Sequence, residues 1–137
     1  MSSDSEAVLE RARVLLGDFE RAVERLAGAL GEPENEFIRD AAIQRFEFSF
    51  ELAWKSIQVS ARREGQECAS PRMAISTAWR NEWISDEAAW LDMLEERNKT
   101  SHTYRQSMAA EVFANLPDYL PLLKGLCETL SKRLREI

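Results

Sequence analysis

Between Val8 and Leu30 the apolar positions Val8, Ala12, Leu15, Phe19, Ala22 and Leu26 step by four and three, with Leu9, Leu16, Val23 and Leu30 beside them. That spacing is the stripe of a long amphipathic helix. Gly31-Glu32-Pro33 stops it, because glycine ends helices readily and proline cannot continue one. A second helix is expected from about Asn35 to Glu64, with Gly65 as its natural C-terminal stop. From Ala41 to Trp54 apolar side chains occur nearly all round it, including Phe46, Phe48, Phe50 and Trp54. Only a narrow polar ridge of Gln44, Glu47, Glu51 and Lys55 is left. A helix with that pattern sits at the centre of a bundle or lines a contact between subunits.

Ser70-Pro71 has the form of an N-cap serine followed by a first-turn proline, which predicts a short helix to about Arg80. Another helix begins near Ser85-Asp86. It carries Trp90, Leu94, Arg97, Ser101 and Tyr104 at steps of four, three, four and three. Polar groups therefore stand where a continued helix would extend its apolar stripe. Thr100-Ser101-His102-Thr103 are weak helix formers, so the helix is expected to end or distort there. Ser107 is expected to cap a further helix, Pro117 and Pro121 to break or re-aim it, and Leu123, Leu126, Leu130, Leu134 and Ile137 to form a last stripe. No segment alternates with the period of a strand, and no internal repeat or low-complexity stretch occurs. The pattern predicts an all-α protein, an antiparallel up-and-down four-helix bundle with an additional short helix, as a single domain over residues 1–137. Trp54, Trp79, Trp83 and Trp90 read as anchors of a core or an interface.

Composition narrows the class. With 45% apolar and 31% charged residues in a chain of 137, there is enough apolar side chain for a core, which argues against disorder. Eighteen Lys and Arg against 24 Asp and Glu leave a net charge of -6, the wrong sign for holding a polyanion over a broad surface. Any contact with nucleic acid must be local. Positive charge gathers at Arg62-Arg63 with Lys55 one helical segment earlier, and at Arg97, Lys99 and Arg105. The apolar runs are too short to span a membrane, and Met1-Ser2-Ser3-Asp4-Ser5-Glu6 is acidic where a secretory leader would be basic. A cytoplasmic location with no membrane partner is expected. Cys68 and Cys127 lack metal-ligand spacing and read as buried or half-buried free thiols in a reducing compartment. Five scattered glycines build no phosphate loop, so the chain is not itself a nucleotidyltransferase or a P-loop enzyme.

The chemistry concentrates in Arg97-Asn98-Lys99-Thr100-Ser101-His102-Thr103-Tyr104, which contains the only histidine of the sequence. A guanidinium fork can hold two phosphoryl oxygens at once. An imidazole is the side chain suited to exchanging a proton near neutral pH. Tyr104 adds a phenol that can bind, stack or be modified. On an ideal helix Arg97 and His102 lie about 140° apart around the axis, so they converge on one phosphate only if the helix ends between them or two chains contribute. Asn98 is four residues before His102 and can orient the imidazole or hold a phosphate oxygen. Spacing leaves a plain structural alternative open: Arg97 pairs with Glu51 or Asp92, His102 caps a helix end and Tyr104 fills a groove. Glu51 and Lys55 form an i,i+4 pair that reads as a surface ion pair, or as support behind a catalytic group. Asp92, Glu95 and Glu96 are expected on a charged, solvated face rather than around a metal, and neither metal nor cofactor is expected.

Three blocks then acquire a common meaning: Gln44 to Lys55 (QRFEFSFELAWK), Ser70-Pro71-Arg72, and Trp90 to Tyr104 (WLDMLEERNKTSHTY). In this order they resemble the nucleotidyltransferase substrate-binding protein family, and the resemblance covers nearly the whole chain. That family is part of the HEPN superfamily of helical domains. Its members that resemble HepT toxins share an arginine, four to six residues, a histidine, one residue and a tyrosine. Arg97, His102 and Tyr104 fill this pattern without departure, and Asn98 matches the polar residue that often follows the arginine.

The resemblance implies a four-helix bundle, usually a homodimer, encoded beside a minimal nucleotidyltransferase of the MntA type that binds it. It implies one of two functions. In the first the protein is a metal-independent endoribonuclease toxin of a toxin–antitoxin pair, neutralised when its partner adds AMP to the motif tyrosine, here Tyr104. Arg97 then holds the scissile phosphate, His102 is the acid or base, and Asn98, Lys99 and Tyr104 bind or orient the RNA. In the alternative the bundle is a non-catalytic subunit that presents a nucleotide substrate to the nucleotidyltransferase. Metal-free cleavage of RNA needs a base, an acid and positive charge at phosphorus, whereas one protomer has one histidine. A symmetric dimer supplies a second His102 and Arg97, with the second helix or the stripe through Trp90 and Leu94 as its expected interface.

Overall fold

The computed structural model describes residues 3–135, so the expectations placed on Met1, Ser2 and Ile137 fall outside the described residues. Five α-helices follow one another: α1 (Ser3–Leu30), α2 (Glu36–Arg63), α3 (Pro71–Arg80), α4 (Glu87–Lys99) and α5 (Gln106–Arg135), with one 3-10 turn at Thr100–His102 between the last two. Among the described residues there is no strand, and no helix is long and apolar enough to cross a membrane. At about 1.5 Å per residue, α1, α2 and α5 are roughly 42–45 Å long. The short connection at residues 31–35 turns α2 back along α1, and these two helices make the most extensive contact of the bundle. The α5 helix packs against both, α4 against α2 and α5, and the short α3 leans on α2 and α4.

Each helix starts and stops for a local reason. The side-chain oxygens of Asn35, Ser70 and Asp86 accept from the backbone N–H groups of Ile38, Met73 and Ala89, at 2.8, 3.2 and 3.0 Å, which caps α2, α3 and α4. Pro71 opens α3 as the sequence predicts. At the end of α2, Gly65 takes φ +76°, and the N–H groups of Gly65 and Gln66 reach back to the carbonyls of Arg62 and Ala61. This is a Schellman closure, and it needs the left-handed conformation that glycine adopts freely. The same closure ends α3, but there Glu82 holds the left-handed position at φ 62°.

The packed interior is built from Phe19 and Leu26 of α1, Phe46, Phe50 and Ile57 of α2, Met93 of α4 and Leu116, Leu123 and Leu126 of α5, all fully buried. Cys68 and Cys127 are buried free thiols, and burial pushes the Cys127 thiol up to about 12. Two expectations need correction. Ser107 lies inside the first turn of α5, and Pro117 and Pro121 do not break that helix, which runs on to Arg135. The two prolines are four residues apart on its exposed side, whereas Val112, Leu116, Leu123, Leu126 and Leu130 are buried along the other. Burial of that stripe keeps the helix going through the two backbone donors that proline lacks.

Candidate functional site: an exposed turn beside a paired arginine

The turn after α4 is shaped by hydroxyl side chains. Thr100 Oγ1 donates to the Arg97 carbonyl at 2.6 Å, Ser101 Oγ to the Asn98 carbonyl at 3.0 Å and Thr103 Oγ1 to the Thr100 carbonyl at 2.9 Å. Each reaches three residues back, taking carbonyls that a continuing helix would have offered to backbone N–H groups. The chain tightens into the 3-10 turn as a result. The N–H groups of Thr103 and Arg105 then bond to the carbonyls of Thr100 and His102, and α5 begins. Of this segment only Thr100 is buried, while Ser101, His102 and Tyr104 face solvent. The α-helix therefore ends at Lys99, between Arg97 and His102, which is one of the two arrangements that would let them share a site.

His102 does not cap the helix end, since hydroxyls do that. Its ring meets Tyr104 edge-on, at 6.2 Å between centroids and 71° between planes. Among the described residues the imidazole makes no hydrogen bond or ion pair. Tyr104 is 73% exposed and fills no groove. The Arg105 guanidinium lies over its ring at 5.6 Å, a cation–π contact that leaves the phenol oxygen free to solvent. Asn98 is exposed, and no hydrogen bond joins its amide to His102 among the described residues.

Arg97 is placed differently. It is half-buried against α2, where its Nη2 meets Glu51 Oε2 at 3.4 Å. Lys55 Nζ lies 3.5 Å from the other oxygen of the same carboxylate, so Glu51 is shared between two cations. The Nε of Arg97 is buried without a partner. The structure brings Glu51, Lys55 and Arg97 together at the α2–α4 seam and sets His102 and Tyr104 on the adjoining turn. No hydrogen bond joins Arg97 to His102 among the described residues. Lys99 reaches Glu111 of α5 at 3.7 Å. The basic rim around the histidine is thus partly neutralised, Arg97 and Lys99 by carboxylates, whereas Arg105 keeps its charge over the Tyr104 ring.

Glu96 does not stand on a solvated face. It is 3% exposed, and its Oε1 accepts from Asn115 Nδ2 at 2.9 Å and from the Tyr119 hydroxyl at 3.4 Å. Its Oε2 is buried without a partner. The register explains it: Met93 and Thr100, three before and four after, are both buried. Trp90 of the same helix is buried in the core, and Leu94, partly buried, packs against it. Asn115 and Tyr119, on α5, were not singled out by sequence, because only the fold brings them opposite Glu96.

Burial and then the Glu96 charge push the Tyr119 hydroxyl up to about 12. In the unfolded chain it titrates near its ordinary value, so the contribution it makes to folding is fully present below about pH 10 and lost as pH rises toward 12. Urea unfolding between pH 9 and 12 is expected to show this loss, and Tyr119→Phe to reduce it.

No three His, Cys, Asp or Glu side chains gather to hold a metal ion among the described residues. The class defined by this fold and turn is an all-helical bundle that presents an arginine, a histidine and a tyrosine where its fourth helix ends. The chain belongs to the family described as nucleotidyltransferase substrate binding protein like, whose profile matches residues 14–132. It is similar to a Haemophilus influenzae protein named as probable ribonuclease HepT, at 32% identity over 97 residues. That match takes in 67% of this chain and 66% of the relative, so the chain spans just under two thirds of the relative's length. Among solved structures it is similar to a Thermus thermophilus protein, with 38% identity, a TM-score of 0.73 and coverage of 85% of this chain and 98% of that one. It also resembles the solved structure of a Haemophilus influenzae protein, described as having the fold of a substrate binding domain of a nucleotidyltransferase. There the identity is 26%, the TM-score 0.66 and the coverage 90% of this chain and 98% of the other.

Proposed function

We propose that this chain is a metal-independent endoribonuclease, the toxin of a toxin–antitoxin pair whose other member is a minimal nucleotidyltransferase. The observation that carries the reading is the His102 turn: Thr100, Ser101 and Thr103 are all engaged by backbone carbonyls, while the imidazole between them is exposed and unbonded among the described residues. A histidine held ready in this way beside an arginine suits proton transfer at a phosphodiester. The similarity to a protein named as a ribonuclease supports the same reading.

In the mechanism, two protomers, each a single HEPN-like unit of residues 1–137, pair so that both turns face one cleft. One neutral His102 takes the proton of the ribose 2′-hydroxyl, and the 2′-oxygen attacks phosphorus. The bond to the 5′-oxygen breaks, that oxygen takes a proton from the second, protonated His102, and a 2′,3′-cyclic phosphate is left. Arg97 stabilises the charge that gathers on the phosphoryl oxygens, and leaves Glu51 to Lys55 when it does so. Asn98 and Lys99 hold the neighbouring backbone. The exposed Tyr104 phenol is the site of neutralisation. Its oxygen, giving up its proton to solvent, attacks the α-phosphorus of ATP held by the partner, pyrophosphate leaves, and the added AMP blocks the cleft by bulk and charge. RNA and ATP as reactants fit a cytoplasmic location.

The Glu51–Arg97 pair favours a second reading, because a carboxylate on the arginine weakens its hold on phosphate. In that reading the same turn binds a nucleotide and presents it to the nucleotidyltransferase without cleavage. Incubation of the purified dimer with end-labelled RNA in EDTA separates the two. Cleavage that leaves 2′,3′-cyclic phosphates is expected. Intact RNA, with protein shown to be dimeric and free of AMP on Tyr104, selects the adaptor.

A further inference from the structure

A groove of about 290 Å³ runs between α1 and α2. One wall carries Asp18, Arg21, Ala22 and Arg25, at the i, i+3, i+4 and i+7 positions of α1, and the other Arg45, Phe48 and Leu52, at the i, i+3 and i+7 positions of α2. Three guanidinium groups against one carboxylate make it a positive site on a chain whose net charge is -6. Arg45 is fixed in place, since its Nη1 donates to the Arg25 carbonyl at 2.9 Å while its other N–H groups remain available. Arg21 meets Asp18 at 2.6 Å. The Arg25 guanidinium makes no ion pair or side-chain hydrogen bond among the described residues. Phe48, 51% exposed, offers a flat apolar ring at the edge of this charge.

We propose that this groove binds single-stranded RNA, with Arg25, Arg45 and Arg21 on successive phosphates and one unpaired base on Phe48. The inference rests on the nuclease reading and extends it from the scissile bond to the flanking strand. Guanidinium groups beside an exposed aromatic ring are the two components of sequence-tolerant single-strand binding. The groove also lies beside the chemistry. Phe48 precedes Glu51, the partner of Arg97, by three residues, about 4.5 Å along the axis of α2. Phe48, Glu51 and Lys55 lie along the solvent-facing ridge of that helix. A strand leaving the Arg97 seam crosses this ridge to reach the groove. A second copy of the chain fits less well, because a two-fold contact centred here sets like charges against each other.

The test uses the full-length chain with His102→Ala, which keeps the RNA intact, and a fluorescein-labelled twelve-residue oligouridylate in EDTA, read by anisotropy at several salt concentrations. Arg21→Gln with Arg25→Gln is expected to weaken binding about tenfold at low salt and to lower the slope of log K against log salt by about 1.4, the value for two phosphate contacts on a single strand. Phe48→Ala is expected to weaken it about fivefold or more. In the otherwise native protein, the arginine pair is expected to slow cleavage of the twelve-mer but not of a dinucleotide, which is too short to reach the groove. Binding and slope equal to those of the His102→Ala protein overturn the groove while leaving the nuclease reading in place. Loss of the dimer in the Phe48 or arginine variants overturns it in favour of a subunit contact. If the His102→Ala protein binds no RNA and the native protein cleaves none, both readings fall.

Discussion

Replacing His102 with alanine is expected to lower the rate of RNA cleavage by a factor of 10² to 10⁴, the usual contribution of a positioned acid or base, and to leave unfolding by urea unchanged. The separation follows from where the side chain sits. His102 is exposed, its contact is the edge of the Tyr104 ring, and the turn is held by the hydroxyls of Thr100, Ser101 and Thr103. Truncation removes neither a buried surface nor a satisfied polar group, so the cost in stability falls within about 0.5 kcal/mol. Arg97→Ala is a less clean probe. It deprives Glu51 of a partner and opens the α2–α4 seam in which the guanidinium is half-buried. Arg97→Lys keeps the charge and loses the fork, so a large loss of cleavage there points to two-oxygen recognition of phosphate. The nuclease reading fails if His102→Ala protein cleaves RNA at the native rate.

The helices and the turn were legible in the sequence because their signals are local. Asn35, Ser70 and Asp86 announce helix starts, Gly65 an end, and four consecutive poor helix formers announce the distortion at residues 100–103. The α5 helix was misread at Pro117 and Pro121 because local breakers were weighed without the buried stripe on the opposite side, which is a tertiary effect. Glu96 was misread for a related reason. Three acidic residues in close sequence look like one solvated face, yet Asp92 and Glu95 are exposed and Glu96 points inward. Of the two positive clusters read along the chain, Lys55 separates from Arg62 and Arg63 by pairing with Glu51, and those two line a cavity with Arg11 at the start of α1. Arg25 and Arg45 of the α1–α2 groove stand 20 residues apart in sequence and meet only because the two helices do. Charge clusters within one helix are visible in sequence, whereas those that two helices build are not.

Phe46→Ala is expected to cost about 3–5 kcal/mol of folding stability, the range for deleting a buried aromatic ring, a large share of the roughly 5–15 kcal/mol available to a domain. Phe46 is fully buried at the middle of α2. Its ring stacks on Tyr119 of α5, with centroids 5.9 Å apart and planes at 27°, and meets Phe50 at 6.5 Å. The side chain therefore joins two long helices, and the space it leaves cannot close without moving one of them. Urea denaturation is expected to show a lower midpoint with an unchanged slope, and Phe46→Leu to recover more than half of the loss by refilling the space. The effect also travels toward the site. Tyr119, on which Phe46 stacks, donates its hydroxyl proton to Glu96, and Glu96 immediately precedes Arg97. A looser Tyr119 lets the end of α4 shift, so the Phe46 variant is expected to lose cleavage activity at urea concentrations where most of it is still folded. A cost below about 1 kcal/mol would mean that α2 and α5 are held together elsewhere, and the packed line from Phe46 through Tyr119 to Glu96 would then have no part in setting the position of Arg97.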